Sequence, residues 1–129
     1  MKAESIKGKS ADEIRAALQQ SMAEGFRPTL AIVFISIKQD RAVISDLLYQ
    51  HNIDVFGSTS CGEFINGYQS KGEIVILLLD INREYYTILI EEVKNAGVEK
   101  AASHLAEKAL RHFKSPTFLL SCNGVYENG

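Results

Sequence analysis

The chain is poor in the features that mark secreted and membrane-spanning proteins. It has only two cysteines, Cys61 and Cys122, which are too few for a disulfide framework, so we expect reduced thiols in a cytoplasmic setting. Its longest apolar runs, Leu30–Ile35 and Ile74–Leu79, are far shorter than a bilayer span. The amino terminus, Met1–Ser5, passes into polar residues instead of the apolar core of a secretion signal.

An excess of charge of either sign is also missing. Lys and Arg total 14 and Asp and Glu total 16, which gives a formal net charge of −2. No stripe of Lys and Arg runs along the sequence, so we expect neither a nucleic acid nor a membrane as a partner. With 46% hydrophobic and 23% charged residues, the 129-residue chain has the composition of one globular domain with its own core.

Two helices are predicted in the first half of the chain. Ser10 and Glu13 form a capping-box pattern, and the apolar residues after them recur at helical spacing as far as the stop signal Gly25. Asp40 is a capping residue for a second helix, whose inward stripe is predicted to be Val43, Ile44, Leu47 and Leu48.

Two strands are predicted around the second helix. The segment Thr29–Ile35 is apolar almost throughout, which is typical of a central strand that is buried on both faces. A shorter apolar segment, Asp54–Gly57, follows the second helix. A strand, a helix and a strand in this order form a βαβ unit, in which the two strands are parallel. The segments that follow them therefore leave from the same edge of the sheet.

The second half of the chain predicts antiparallel pairing. Glu63–Gln69 reads as a short strand, and Ile74–Asp80 and Tyr85–Val93 read as the two strands of a hairpin. A helix is predicted over Gly97–Phe113 and a last buried strand over Thr117–Leu120. The predicted fold class is α/β: a single domain with a mixed β-sheet that has a parallel βαβ core and an antiparallel hairpin, flanked by helices.

Small polar residues follow three of the predicted strands where they end. Ser36 follows the first, a loop rich in hydroxyls follows the second, and Ser121 and Asn123 follow the last. If the last strand is parallel to the others, these residues line one rim, where open α/β sheets bind ligands. Gly57 and Gly62 bracket the loop, and glycines let a ligand approach the backbone. The predicted ligand site is Ser36, Ser58, Thr59, Ser60, Cys61, Gly62, Glu63, Ser121 and Asn123.

The same loop carries a family resemblance. The segment Gly57-Ser58-Thr59-Ser60-Cys61-Gly62-Glu63-Phe64, with the strand Thr29–Phe34 before it and the long hairpin after it, resembles the N-terminal half of the FIST (F-box and intracellular signal transduction) sensory domain. The resemblance covers most of the chain, and its tightest motif is Gly-x-Thr-x-x-Gly-Glu. It implies a cytoplasmic sensor of small ligands such as amino acids or their derivatives, joined to a histidine kinase, chemoreceptor or cyclic-dinucleotide output domain.

Two features depart from the family pattern. Members of the family usually carry a second, C-terminal FIST segment, and this chain ends before one could begin. We therefore expect residues 1–129 to be one FIST N-terminal-like domain of a longer protein, with the missing half or an output domain as its partner. Cys61 stands where the family more often has alanine, serine or threonine, which argues against an obligatory cysteine chemistry.

The predicted function is a non-catalytic sensory module, without metal or cofactor, that binds a small polar, amino-acid-like ligand. Backbone amides and hydroxyls would hold a carboxylate, and Glu63 would face an amine. A tight turn that needs small residues is the alternative for the loop, and a solvated acid is the alternative for Glu63. Two other functions stay open. One is a cysteine-dependent hydrolase or thiol-redox protein that uses Cys61. The other is a structural or interaction domain whose edge at Tyr85–Val93 pairs with another copy, as a homodimer, or with the missing half.

Catalytic chemistry has little support elsewhere in the sequence. No Lys, Arg or His flanks Cys61 or Cys122 to activate a thiolate, and two cysteines without paired histidines fall short of a zinc set. The histidines fall on helix ends or outward faces, away from the predicted rim, so a Cys–His or Ser–His pair cannot be assembled there. These histidines are His51, His104 and His112.

Overall fold

The computed structural model of this chain describes residues 1–60, 62–65, 67–93 and 97–122, with the backbone alone for residues 63–65 and 68–70. The chain divides into two compact units, Met1–Arg83 and Glu84–Gly129. In chain order the elements are β1 (Lys2–Gly8), α1 (Ala11–Met22), β2 (Leu30–Ser36), α2 (Arg41–Gln50), β3 (Asp54–Ser60), β4 (Glu63–Ile65), β5 (Tyr68–Ser70), β6 (Ile74–Asp80), a 3₁₀ turn (Arg83–Tyr85) and α3 (Gly97–His112).

A four-stranded sheet in the order β1-β6-β2-β3 forms the frame of the first unit. The strands β2 and β3 pair in parallel, whereas β6 is antiparallel to both of its neighbours. The strands β4 and β5 form a separate antiparallel hairpin. The predicted α/β class, with a mixed sheet around a parallel βαβ core, is therefore confirmed.

The core of the first unit lies between one face of the sheet and the helices α1 and α2. Alternate strand residues face it, among them Ile6, Val33 and Ile76, because successive side chains of a strand point to opposite faces. The helix α1 contributes Ile14 and Leu18, and α2 contributes a stripe of three buried residues, Ile44, Leu47 and Leu48. Burying each such side chain stabilises the fold by about 1.5–3 kcal/mol relative to leaving it in water.

Both helices of the first unit begin where the sequence predicts. Ser10 Oγ accepts a hydrogen bond from the amide of Glu13 at 3.2 Å, and the Glu13 carboxylate accepts one from the amide of Lys9 at 2.7 Å. Asp40 Oδ1 accepts from the first amides of α2. The prediction that Val43 faces inward is wrong. The buried residues of α2 are Ile44, Leu47 and Leu48, and the Val43 side chain is 40% exposed.

The strand β1 is not predicted from the sequence, and it changes the topology. It pairs with one edge of β6 while β2 pairs with the other, so that Ile76 lies between Ile6 and Val33. A strand has two edges, and β6 therefore has none left for the chain that follows it. The predicted hairpin between β6 and Tyr85–Val93 is wrong: beyond the 3₁₀ turn, residues 86–93 have no regular secondary structure.

In the second unit the predicted helix is confirmed as α3, in which Ala101 and Ala109 are buried. The predicted strand Thr117–Leu120 is wrong. A strand needs a hydrogen-bonded neighbour, and no ladder among the described residues includes this segment, whose three large apolar side chains are exposed. None of the helices in the described ranges combines the length and the apolar character that crossing a membrane requires.

Gly57 in β3 has no room for a side chain. A methyl group on its Cα would lie 2.0 Å from the carbonyl oxygen of Val33 in β2, so the two strands would have to separate to admit it. We expect Gly57→Ala to lower the free energy of unfolding by about 1–3 kcal/mol, as overpacking does. Urea denaturation followed by circular dichroism measures this loss.

The matched control for Gly57→Ala is Thr59→Ala, because Thr59 is exposed and lies in the same strand. The control should change the free energy of unfolding by about 0.5 kcal/mol or less. Equal losses in the two variants would contradict the close approach of β2 and β3 at Gly57.

Candidate functional site

The candidate site lies at the edge of the first unit's sheet where β2 and β3 end. Ser36 is the register partner of Ser60, so the two parallel strands reach this edge at the same level. Ligands of open α/β sheets bind outside the carboxyl ends of the strands. The prediction that β2 and β3 are parallel and end at one edge is confirmed.

The predicted loop after β3 begins later than the sequence indicates. Ser58, Thr59 and Ser60 belong to β3 itself, so their side chains alternate between the two faces of the sheet. Ser58 and Ser60 lie on the face of Ser36, while Thr59 lies on the opposite face with its register partner Ile35. The structure therefore places Ser36, Ser58 and Ser60 on one face of the sheet and Thr59 on the other.

The other predicted site residues are placed only in part. Gly62 is exposed, and Glu63 opens β4, where the backbone is described; Cys61 lies outside the described residues. Ser121 belongs to the second unit, where it is exposed and has no regular secondary structure, and Asn123 lies outside the described residues. The participation of these five residues in a site stays a prediction.

Ser36 is held in place through its backbone. It is 6% exposed, its amide donates to the carbonyl of Glu73 at 3.1 Å, and its own carbonyl accepts from the amide of Gln39 at 2.9 Å. Ser36 Oγ accepts from the amide of Lys38 at 3.4 Å. Because a hydroxyl both accepts and donates, Oγ can still donate its hydrogen to a further group.

Gln39 connects three segments at this edge. Its Nε2 donates to the carbonyl of Lys9 at 2.9 Å and to the carbonyl of Gly72 at 2.8 Å. Lys9 follows β1 and Gly72 lies shortly before β6, so a single side chain ties the turn after β2 to two neighbouring segments. Sequence reasoning misses Gln39, since no pattern marks a residue whose role depends on which strands are neighbours.

Glu73 is a buried acid behind the same edge. It is 5% exposed, and its Oε1 lies 3.9 Å from Nζ of Lys9, whose side chain is 73% exposed. Burying a carboxylate costs several kcal/mol unless cations and hydrogen-bond donors compensate, and Lys9 is one such cation. Sequence reasoning misses Glu73 too, although an acid directly before the apolar run of β6 is a signal that could have found it.

The second unit has a cleft of about 430 Å³, lined in part by Glu91, Lys100 and His104. Glu91 Oε2 accepts a hydrogen bond from Lys108 Nζ at 2.5 Å, and Oε1 lies 3.2 Å from His104 Nδ1. The hydrogen bond from Lys108, and after it the one from His104, lowers the pKa of Glu91 below its usual range, which burial opposes. Since two side chains of α3 already engage this carboxylate, its role is to hold the preceding segment against the helix.

Removing the Gln39 side chain should loosen the edge. We expect Gln39→Ala to lower the free energy of unfolding by about 1–2 kcal/mol, because two hydrogen bonds to backbone carbonyls are lost. Urea denaturation measures the loss, and Gln19→Ala on the exposed surface of α1 is the matched control. If both variants unfold at the same urea concentration, Gln39 does not have the connecting role assigned to it.

The lowered pKa of Glu91 predicts a pH dependence. Because its pKa is lower in the folded chain than in the unfolded one, the charged form stabilises the second unit above the unfolded pKa, and this contribution is lost as the pH falls through the folded pKa. A carbon-13 NMR titration of the Glu91 carboxyl should have its midpoint below the pKa of a glutamate in an unfolded chain. Lys108→Met should raise that midpoint; an unchanged midpoint would rule out Lys108 as the main cause.

The comparison with protein families identifies the chain. The profile of the FIST N domain matches residues 29–129, from Thr29 directly before β2 through the candidate edge and α3; β1 and α1 lie outside the match. Comparisons with curated proteins and with solved structures gave no match. Because the family match covers more than half of the chain, this chain belongs to the FIST domain family.

Proposed function

We propose that this chain is the sensory module of a signal-transduction protein and binds a small polar, amino-acid-like ligand at the shared edge of β2 and β3. The FIST family is associated with sensory modules of signal transduction, which supports the first part of the proposal. The register of Ser36 with Ser60 at the carboxyl ends of parallel strands carries the second part. The module works without a chemical step of its own, in the cytoplasm, with an output domain or a second FIST segment as its partner.

The polar groups at this edge suit a ligand with a carboxylate. Ser36, Ser58 and Ser60 lie on one face of the sheet, and hydroxyls donate hydrogen bonds that are stronger to a charged acceptor than to a neutral one. The residues proposed to complete the site are Cys61, Gly62 and Glu63, which follow β3 along the chain. Glu63 is proposed as the partner of the ligand's amine, because a carboxylate pairs well with an ammonium group.

An apolar surface next to these hydroxyls supports an amino acid with an apolar side chain. Phe34 is the register partner of Ser58, so both lie on the same face, and Phe34 is 44% exposed. Ligand sites typically combine such apolar surface with a few polar groups that fix orientation. We therefore propose that the ligand's side chain contacts Phe34 while its carboxylate meets the serines.

A thermal-shift screen of the full chain against the common amino acids tests the proposal. A ligand at about a hundred times its Kd should raise Tm by roughly 5–10 °C, because binding to the folded state alone stabilises it by about 2.7 kcal/mol. Matched analogues that lack the amine or the carboxylate should give smaller shifts. Calorimetry on the best compound then measures its Kd.

Variants identify the site. Ser60→Ala should raise the Kd of the best ligand by about tenfold or more, since a hydrogen bond to a charged group is worth about 1.5–3 kcal/mol. Ser45→Ala, an exposed serine on α2, is the matched control and should bind as the unchanged chain does. No stabilisation by any amino acid would contradict the proposal, and equal binding by the two variants would remove the edge of β2 and β3 as the site.

A further inference from the structure

The outer edge of β3 is open in the part of the chain that the structure describes, where β3 is the last strand of the sheet. The amide of Asp54 donates to the carbonyl of Thr29 at 2.8 Å, so the backbone polar groups of Asp54 face β2. Alternate residues of a strand turn these groups to opposite sides, and the β2–β3 register runs without a break to Ser60. The N–H and C=O groups of Val55, Gly57 and Thr59 consequently face outward.

The two edges of this sheet differ in charge. The strand β1, at the opposite edge, carries Lys2, Glu4 and Lys7, and charged side chains on an edge strand discourage pairing with another chain. The strand β3 has one charged residue, Asp54, whose carboxylate lies 3.0 Å from Nε of Arg83. The rest of β3 has no charge and no proline, so it lacks the protection that β1 has.

We propose that a second copy of this chain pairs with β3 in antiparallel orientation, about a two-fold axis at Gly57. In this register Gly57 faces Gly57 of the second copy, and Val55 faces Thr59 of the second copy. These are the outward-facing residues, so each facing pair exchanges two hydrogen bonds. The dimer has one continuous sheet with the charged strand β1 at both ends, which stops the growth of the sheet beyond the dimer.

The side chains of β3 fit this register. Asp54 faces Ser60 of the second copy, so like charges do not meet across the interface. Phe56 lies diagonally across from Phe56 of the second copy on one face, a spacing that aromatic side chains can bridge. Gly57 at the axis places no side chain between the two backbones. The charge pattern and the small residues of this edge are thus both compatible with pairing to a second copy of the chain.

Sedimentation equilibrium of the full chain, from about 1 µM to about 1 mM, tests the proposal. We expect a reversible monomer–dimer equilibrium. Thr59→Pro removes an outward N–H and should weaken the dimer about tenfold or more, while proline at such an edge position leaves the β2–β3 ladder intact. Thr59→Ala keeps the N–H and loses only the side-chain contact with Val55 of the second copy, so this matched control should weaken the dimer much less than Thr59→Pro. A monomer at every concentration, or a dimer that Thr59→Pro leaves unweakened, would overturn the proposal.

Hydrogen–deuterium exchange of the unsubstituted chain gives a second readout that does not depend on a variant folding. The amides of Val55, Gly57 and Thr59 should be protected at high protein concentration and should exchange faster on dilution. If Thr59→Pro proves unfolded by circular dichroism, this measurement decides. Exchange at these three amides that does not change with protein concentration would overturn the proposal.

Discussion

The arrangement of the first unit depends on the two occupied edges of β6. This strand is antiparallel to β1 on one side and to β2 on the other, and four of its seven residues are buried. The chain that follows β6 cannot turn back to pair with it. Instead the chain leaves at the amino end of β2, where Thr29 Oγ1 accepts from the amide of Ile81 at 3.1 Å and Arg83 binds the Asp54 carboxylate.

The candidate site follows from the same strand order. Because β6 lies beside β2, the residue before β6 meets the end of β2, which is why Ser36 donates to Glu73 and Gln39 reaches Gly72. The edge shared with Ser60 is therefore supported by strands whose pairing is fixed. A binding site that is already ordered before the ligand arrives loses less conformational entropy on binding. The open edge of β3 is a second consequence, since among the described residues β3 pairs with β2 alone.

Sequence patterns predict the helices and strands whose own residues mark them, by caps or by apolar runs. They fail for segments whose structure depends on which strand lies beside them. Caps locate α1 and α2, and an apolar run locates β2. The sequence of β1 resembles a polar tail, because it has three charged residues and Ile6 is its one large apolar residue. It forms a strand because one edge of β6 is available for pairing. Tyr85–Val93 has a strand pattern, but both edges of β6, its predicted partner, are occupied. In the site, the hydroxyl-rich segment is visible in the sequence, but the alternation that turns Thr59 to the opposite face depends on the extent of β3.

Cross-strand nuclear Overhauser effects in the full chain test the strand order most directly. This strand order predicts contacts between backbone protons of Ile76 and those of both Ile6 and Val33, the register partners on its two sides. Contacts from β6 to Tyr85–Val93 in place of those to β1 would contradict it, because a hairpin would then occupy the edge that β1 holds.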